Sequence, residues 1–180
     1  MFKETMQDKA TLVRCIETSQ VPTKLISAVS EQGTDSIRTL IPECPEDILY
    51  GLVWHAVDET RCLTPRGEPR TMGKVARRFK SKLGSFENAC KPRDNCDPSW
   101  FSTCLKINYA FETFDFGYAF VRDLNEGERK DNAGIGYPQK YYICDGCHRL
   151  LVLAVKLVEG VRLRPITLVY LNATECPKES

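Results

Sequence analysis

Apolar residues along the chain fall into stretches of recognisable period. Met6, Ala10, Val13 and Ile16 are spaced three or four apart and predict an amphipathic helix over residues 3–18. A second short helix starts at Pro22, runs to Glu31 and stops at Gly33. Residues 37–41 read as a strand. Pro45, Glu46 and Asp47 mark another helix start, because proline suits the first turn and the dipole favours acids there. Its apolar face would be Ile48, Leu49, Leu52, Val53 and Ala56, with His55 as a helix-face residue. Residues 72–83 predict a basic helix, and residues 117–122 alternate as a strand does. Residues 123–139, with Gly127, Gly134, Gly136 and Pro138, read as a long mobile loop.

The last third is the most sharply patterned. Lys140, Tyr141, Tyr142, Ile143 and Cys144 form a β-rich run, and Asp145-Gly146 is a turn signal. Residues 150–159 follow as a helix with Leu150, Leu151, Leu153, Ala154, Leu157 and Val158 apolar, closed by Gly160. Residues 165–171 return as a buried strand. The order strand, turn, helix, strand predicts about one βαβ unit, with chemistry concentrated at the first turn.

The length of 180 residues predicts a single domain. A chain of this size buries roughly two-thirds of its unfolded surface and needs no disulfides to fold. With 42% hydrophobic and 27% charged residues it is not disordered. Lys+Arg is 25 and Asp+Glu 24, a net charge of +1, so no global field draws the chain to nucleic acid or an anionic membrane. No run approaches the ~18 apolar residues of a membrane helix. Acids interleave with bases at the amino end, which lacks a secretory pattern, so the expected location is the cytoplasm. The nine cysteines, odd in number and scattered, are then expected as thiols.

Two regions hold charge or rings in excess. Residues 61–98 carry Arg61, Arg66, Arg70, Lys74, Arg77, Arg78, Lys80, Lys82, Lys91 and Arg93 against only Glu68, Glu87, Asp94 and Asp97. A solvated loop with one basic helix is the plainer reading; phosphate or nucleic-acid contact, from Arg61 to Lys82, is the other. Residues 100–122 hold Trp100, Phe101, Tyr109, Phe111, Phe114, Phe116, Tyr118 and Phe120, which read as core before they read as a base-stacking platform.

Asp145, Gly146, Cys147, His148 and Arg149 lie where a strand ends and a helix begins. A helix amino end has unpaired N–H groups and partial positive charge, so it accepts phosphate. Gly146 lets an anion approach the backbone. Arg149 is a charged fork suited to phosphate oxygens. His148 can move a proton near neutral pH. Cys147 sits where the dipole and Arg149 would favour a thiolate nucleophile. Asp145 could hold a metal ion or take a proton from a hydroxyl. The plainer reading is that Asp145 caps the helix and Cys147 is a small buried residue.

The run Tyr141-Tyr142-Ile143-Cys144-Asp145-Gly146-Cys147-His148-Arg149-Leu150 resembles the signature of the ParB/sulfiredoxin superfamily. Sulfiredoxins carry Gly-Gly-Cys-His-Arg at this place, and ParB-like free serine kinases carry Asp-Gly-His-His-Arg. The resemblance covers residues 140–171. It implies an α+β fold, a small mixed sheet with flanking helices, in which residues 61–139 form a long basic insertion or a divergent half. It implies that Gly146, Cys147, His148 and Arg149 bind the phosphates of ATP or another nucleotide, with Mg²⁺ bridging them. Likeness to sulfiredoxin implies that Cys147 supports ATP-dependent repair of an oxidised cysteine on a protein-thiol substrate. Likeness to the kinases implies that Asp145, His148 and Arg149 organise phosphoryl transfer to a small hydroxyl substrate.

Other readings use the same residues. Cys144-x-x-Cys147-His148 fits a haem-attachment pattern. Cys144 and Cys147 alone form a CxxC, either a redox pair or half a zinc site completed from Cys90, Cys96 and Cys104. The non-enzymatic alternative is a ParB-like nucleic-acid-binding module using the basic stretch.

Overall fold

The computed structural model describes residues 1–54, 58–65 and 68–177. Among these, the chain is a mixed α+β domain built on one six-stranded sheet. The strands are β1 (Lys3–Asp8), β2 (Ser36–Ile41), β3 (Leu52–Val53), β4 (Tyr118–Asp123), β5 (Tyr141–Asp145) and β6 (Thr167–Tyr170). Their order across the sheet is β1-β2-β6-β4-β5-β3. The helices are α1 (Lys9–Glu17), α2 (Thr23–Ser30), α3 (Pro45–Gly51), α4 (Met72–Lys82), α5 (Phe86–Ala89), α6 (Pro98–Tyr109), α7 (Glu126–Asp131) and α8 (Cys147–Val158).

Strand alternation sorts the core into two layers. One face of the sheet carries Leu40, Ala119, Val121, Tyr141, Ile143 and Leu168, packed in one apolar cluster with residues of α3, α4, α6 and α8. The other carries Ile37, Phe120, Val169 and Leu171 against Leu12 and Ile16 of α1 and Leu25 and Val29 of α2. Helix α8 lies at the centre of the first layer. Leu150, Leu151, Val152, Leu153 and Ala154 have no exposed surface, so a helix apolar nearly all round is buried nearly all round.

Several elements depart from their sequence expectation. The expected helix over residues 3–18 is a strand followed by a helix. Residues 3–8 pair antiparallel with β2, and Met6, opposite Arg38, is 64% exposed. The helix begins only after Asp8, whose carboxylate accepts from the Thr11 N–H at 2.8 Å, and its buried residues are Leu12 and Ile16. Helix α3 stops at Gly51, and Leu52 and Val53 pair in parallel with Tyr141 and Tyr142. A short run of buried apolar residues has no period to separate helix from strand, and the edge of β5 decides it. Ala56 and His55, placed on that helix by spacing, lie outside the described residues.

The expected loop over 123–139 contains α7, opened by a reciprocal cap. Asn125 accepts from the Glu128 N–H, and Glu128 accepts from the Asn125 N–H. Glu128 also takes both arms of buried Arg122, at 2.7 and 2.8 Å.

Strand, turn, helix and strand follow in order over 141–170, but they do not form a parallel βαβ unit. β4 lies between β5 and β6, antiparallel to the first and parallel to the second. Residues 159–166 bring the chain back to the end where α8 began, and the Thr167 N–H donates to the Gly117 carbonyl. Residues 61–139 thus supply a central strand, β4, and helices α4 and α6 of the main core.

The cysteines also differ from expectation. Cys62 is bonded to Cys96 and Cys144 to Cys176, across Cα separations of 5.8 and 5.2 Å. Cys15, Cys44, Cys90, Cys104 and Cys147 are free thiols. Odd count and scatter say nothing of which cysteines the fold brings within bonding distance.

Candidate functional site

Strand β5 ends at Asp145, and Gly146 takes the left-handed conformation (φ 91°) as N-cap of α8. A side chain here would be strained by that φ. Its Cβ would also lie 2.7 Å from the Ala119 Cβ on the neighbouring strand. The glycine thus turns the chain tightly over β4. It also has no side chain to cap the twelve-residue helix that follows. Asp145 is not the cap.

This amino end opens into a cleft of about 850 Å³, within the range of small-molecule sites. All of Asp145, Gly146, Cys147, His148 and Arg149 line it. Ser19, Gln20 and Pro22, at the α1–α2 connection, form one wall. Trp100, Thr103, Lys106 and Ile107 of α6 form another, and Phe114 and Asp115 close the rim. Sequence reasoning found the turn and missed these walls. They are contributed from segments far apart in the chain, and a lysine or aspartate there has no local signature. Gln20, at φ 49°, is one of two non-glycine residues with positive φ among the described residues.

Each side chain of the turn has a defined environment. The Arg149 guanidinium donates to the Phe116 carbonyl at 2.9 Å and pairs with Asp145 at 3.3 Å, one helical turn back. It remains partly accessible, 21% exposed, with further N–H donors. Asp115, whose Oδ1 accepts from the Gly117 N–H, adds a second carboxylate at the rim. His148 stacks on Trp100, ring centroids 4.1 Å apart, and burial lowers its pKa. Its imidazole is therefore neutral near pH 7.

Cys147 departs from the expected thiolate. It is 8% exposed, and burial pushes its thiol well above the ordinary range; the Asp145 carboxylate adds to this while Arg149 opposes it. The magnitudes explain the outcome. A helix dipole contributes about 0.3–1 kcal/mol, under one pKa unit, whereas full burial shifts a group by up to ~3–5 units. Cys147 is a neutral thiol of the core.

The cysteine alternatives lose their ligands. Cys144 bonds to Cys176, not to Cys147, so CxxC is not a redox pair here. The same bond removes a thiol that both the zinc and the haem readings need, and the Cys62–Cys96 bond removes another from the zinc set. Among the described residues no group of three or more His, Cys, Asp or Glu side chains could hold a metal ion by itself.

The basic stretch is largely engaged in the fold. Arg78 pairs with Glu68 and donates to the carbonyls of Leu63 and Pro69. Arg77 donates to the Tyr50 hydroxyl, Lys80 pairs with Glu159, and Lys82 donates to the Cys62 carbonyl. Arg66 lies outside the described residues. No described helix is long and apolar enough to cross a membrane.

These features define a mixed α+β domain with a cleft at the amino end of α8, where the N-cap is a glycine. No family model, curated protein or solved structure matches the chain.

Proposed function

We propose that the chain is a nucleotide-binding enzyme of ParB/sulfiredoxin type. It holds the phosphates of ATP or a related nucleotide at the 145–149 turn and transfers a phosphoryl group to an acceptor in the cleft. The observation that carries this reading is the glycine-capped amino end of α8, open to an 850 Å³ cleft with Arg149 beside it. The backbone of that turn and the Arg149 guanidinium both line this cleft.

The residues present fit a nucleotide with Mg²⁺. Asp145 and Asp115 both line the cleft, and Mg²⁺ is commonly held by one or two carboxylates together with substrate phosphates. Bound there, it would neutralise phosphate charge. With the metal on Asp115, Asp145 would be left to take the proton of an attacking hydroxyl. The new P–O bond forms to the acceptor oxygen as the P–O bond to the departing diphosphate breaks. Neutral His148 can donate a hydrogen bond to the transferring group.

Between the two acceptors, buried Cys147 favours a small hydroxyl compound. Repair of an oxidised cysteine would ask for a reactive thiol at this position, and Cys147, though at the cleft wall, is nearly buried and held uncharged by desolvation. The nucleic-acid module finds less support, because most of the bases of α4 are engaged within the fold.

Calorimetry with ATP, ADP and CTP plus Mg²⁺ tests the reading. Micromolar binding by wild type, lost in Arg149→Ala and kept in Cys147→Ser, is the expected result. Binding that survives Arg149→Ala unchanged, or no binding by any nucleotide, sinks it.

A further inference from the structure

The disulfide between Cys144 and Cys176 joins the cleft to the carboxyl-terminal tail. Cys144 is the residue before Asp145 and itself lines the cleft. Its side chain belongs to the sheet face that carries Phe120, Val169 and Leu171. Cys176 lies beyond β6, in a tail whose residues 172–175 are exposed. At the start of that tail Leu171 donates to Val121, and Ala173 donates to Leu171. Glu175 adds an electrostatic contact with Arg122. Among the described residues, the covalent bond ties Cys176 directly to the end of β5. Among the described residues, none of the tail lines the cleft.

From this geometry we propose that Cys144–Cys176 is a redox-sensitive brace for the 145–149 turn. When oxidised, it holds the end of β5, and with it the Gly146 turn, in the ligand-binding arrangement. A dithiol reductant breaks the S–S bond. Two cysteine S–H groups form, and the reductant's thiols close into their own disulfide. The end of β5 then loses its covalent tie to the tail, and the turn gains freedom that a ligand must remove. Reduction therefore weakens binding in the cleft, and oxidation restores it. The effect on ligand rests on the nucleotide reading above; the effect on the turn does not.

The test uses the full chain, oxidised and after treatment with dithiothreitol. Peptide mapping without reduction should recover the Cys144 peptide bonded to the Cys176 peptide. Amide hydrogen exchange over residues 145–150 should be faster in the reduced protein and in Cys176→Ser. ATP with Mg²⁺ should bind the oxidised form at least about fivefold more tightly, the lower end of usual coupling between sites. The variant Cys62→Ser/Cys96→Ser should keep the whole response, since that bond lies outside the cleft. Absence of the Cys144–Cys176 linkage, exchange unaltered by reduction, or equal ATP affinity in both states overturns the proposal. ATP binding in neither state, with the exchange response intact, sinks the nucleotide reading and supports the brace.

Discussion

Helices α4 and α8 lie against each other in the core, and they use their cations in opposite ways. Helix α4 carries Lys74, Arg77, Arg78, Lys80 and Lys82, the densest positive charge in the chain. Most of it is engaged laterally with a tyrosine hydroxyl, two carboxylates and nearby carbonyls. Helix α8 has Arg149 alone in its first two turns, yet that arginine sits at an uncapped amino end in a cleft. Number of charges does not make a site. On the proposed reading, concavity matters more, because it limits competition from water.

The sharpest way to break this contrast is at Gly146. Gly146→Ala adds left-handed strain and a Cβ pressed on Ala119, and should cost about 2–4 kcal/mol in urea unfolding. Nucleotide binding should disappear with it. A variant of wild-type stability would show that the tight turn is not required.

Arg149 and α4 give the direct comparison. Arg149→Ala should weaken ATP about 10–100-fold, as expected for hydrogen bonds to a charged ligand. Arg77→Ala and Lys80→Ala should each stay within about twofold, since exposed pairs are worth at most ~1 kcal/mol to the fold and none to a distant ligand. Equal losses from both helices would erase the distinction and revive the nucleic-acid module.

His148 adds a pH dependence. Burial holds its pKa below the unfolded value, so the unfolded chain protonates first as pH falls. Its stability contribution is complete above about pH 6.5 and is lost as pH drops from there toward the depressed folded pKa. The decline cannot exceed about 1.4 kcal/mol per pH unit for one group. Urea unfolding at pH 7.5, 6.5 and 5.5 should show it, and His148→Phe should flatten it. An unaltered slope would place His148 in solvent and undo the Trp100 stack.

The smallest effect concerns Cys147. Iodoacetamide at pH 7.5 should label half-exposed Cys15 well before Cys147, which should react only on unfolding. Rapid labelling of Cys147 in the native protein would return the thiol-acceptor chemistry to first place.

The uneven legibility of the chain follows from where each element's information lies. Helix α2 and strand β2 were readable because their periods and turn residues are local. So was the 145–149 turn, where Asp-Gly follows a β-rich run and an apolar helix follows the turn. The split of residues 3–18 was not readable. The choice between strand and helix there depends on pairing with β2, about thirty residues away. The direction of β6 relative to β5 was equally hidden, because strand order is a property of the sheet and not of the strand.

By itself the sequence determined the composition of the turn: a glycine able to adopt positive φ, an arginine one residue into the helix from His148, and a carboxylate before them. These are properties of residue types in local order. Only the tertiary structure decided what the turn faces and in what charge state. It set α6 and the α1–α2 connection around the turn as a cleft, bonded Cys144 to Cys176, and buried Cys147 so that desolvation overrode the helix dipole. The physical reason is that solvation and concavity are set by packing between segments distant in the chain, and these outweigh the local field.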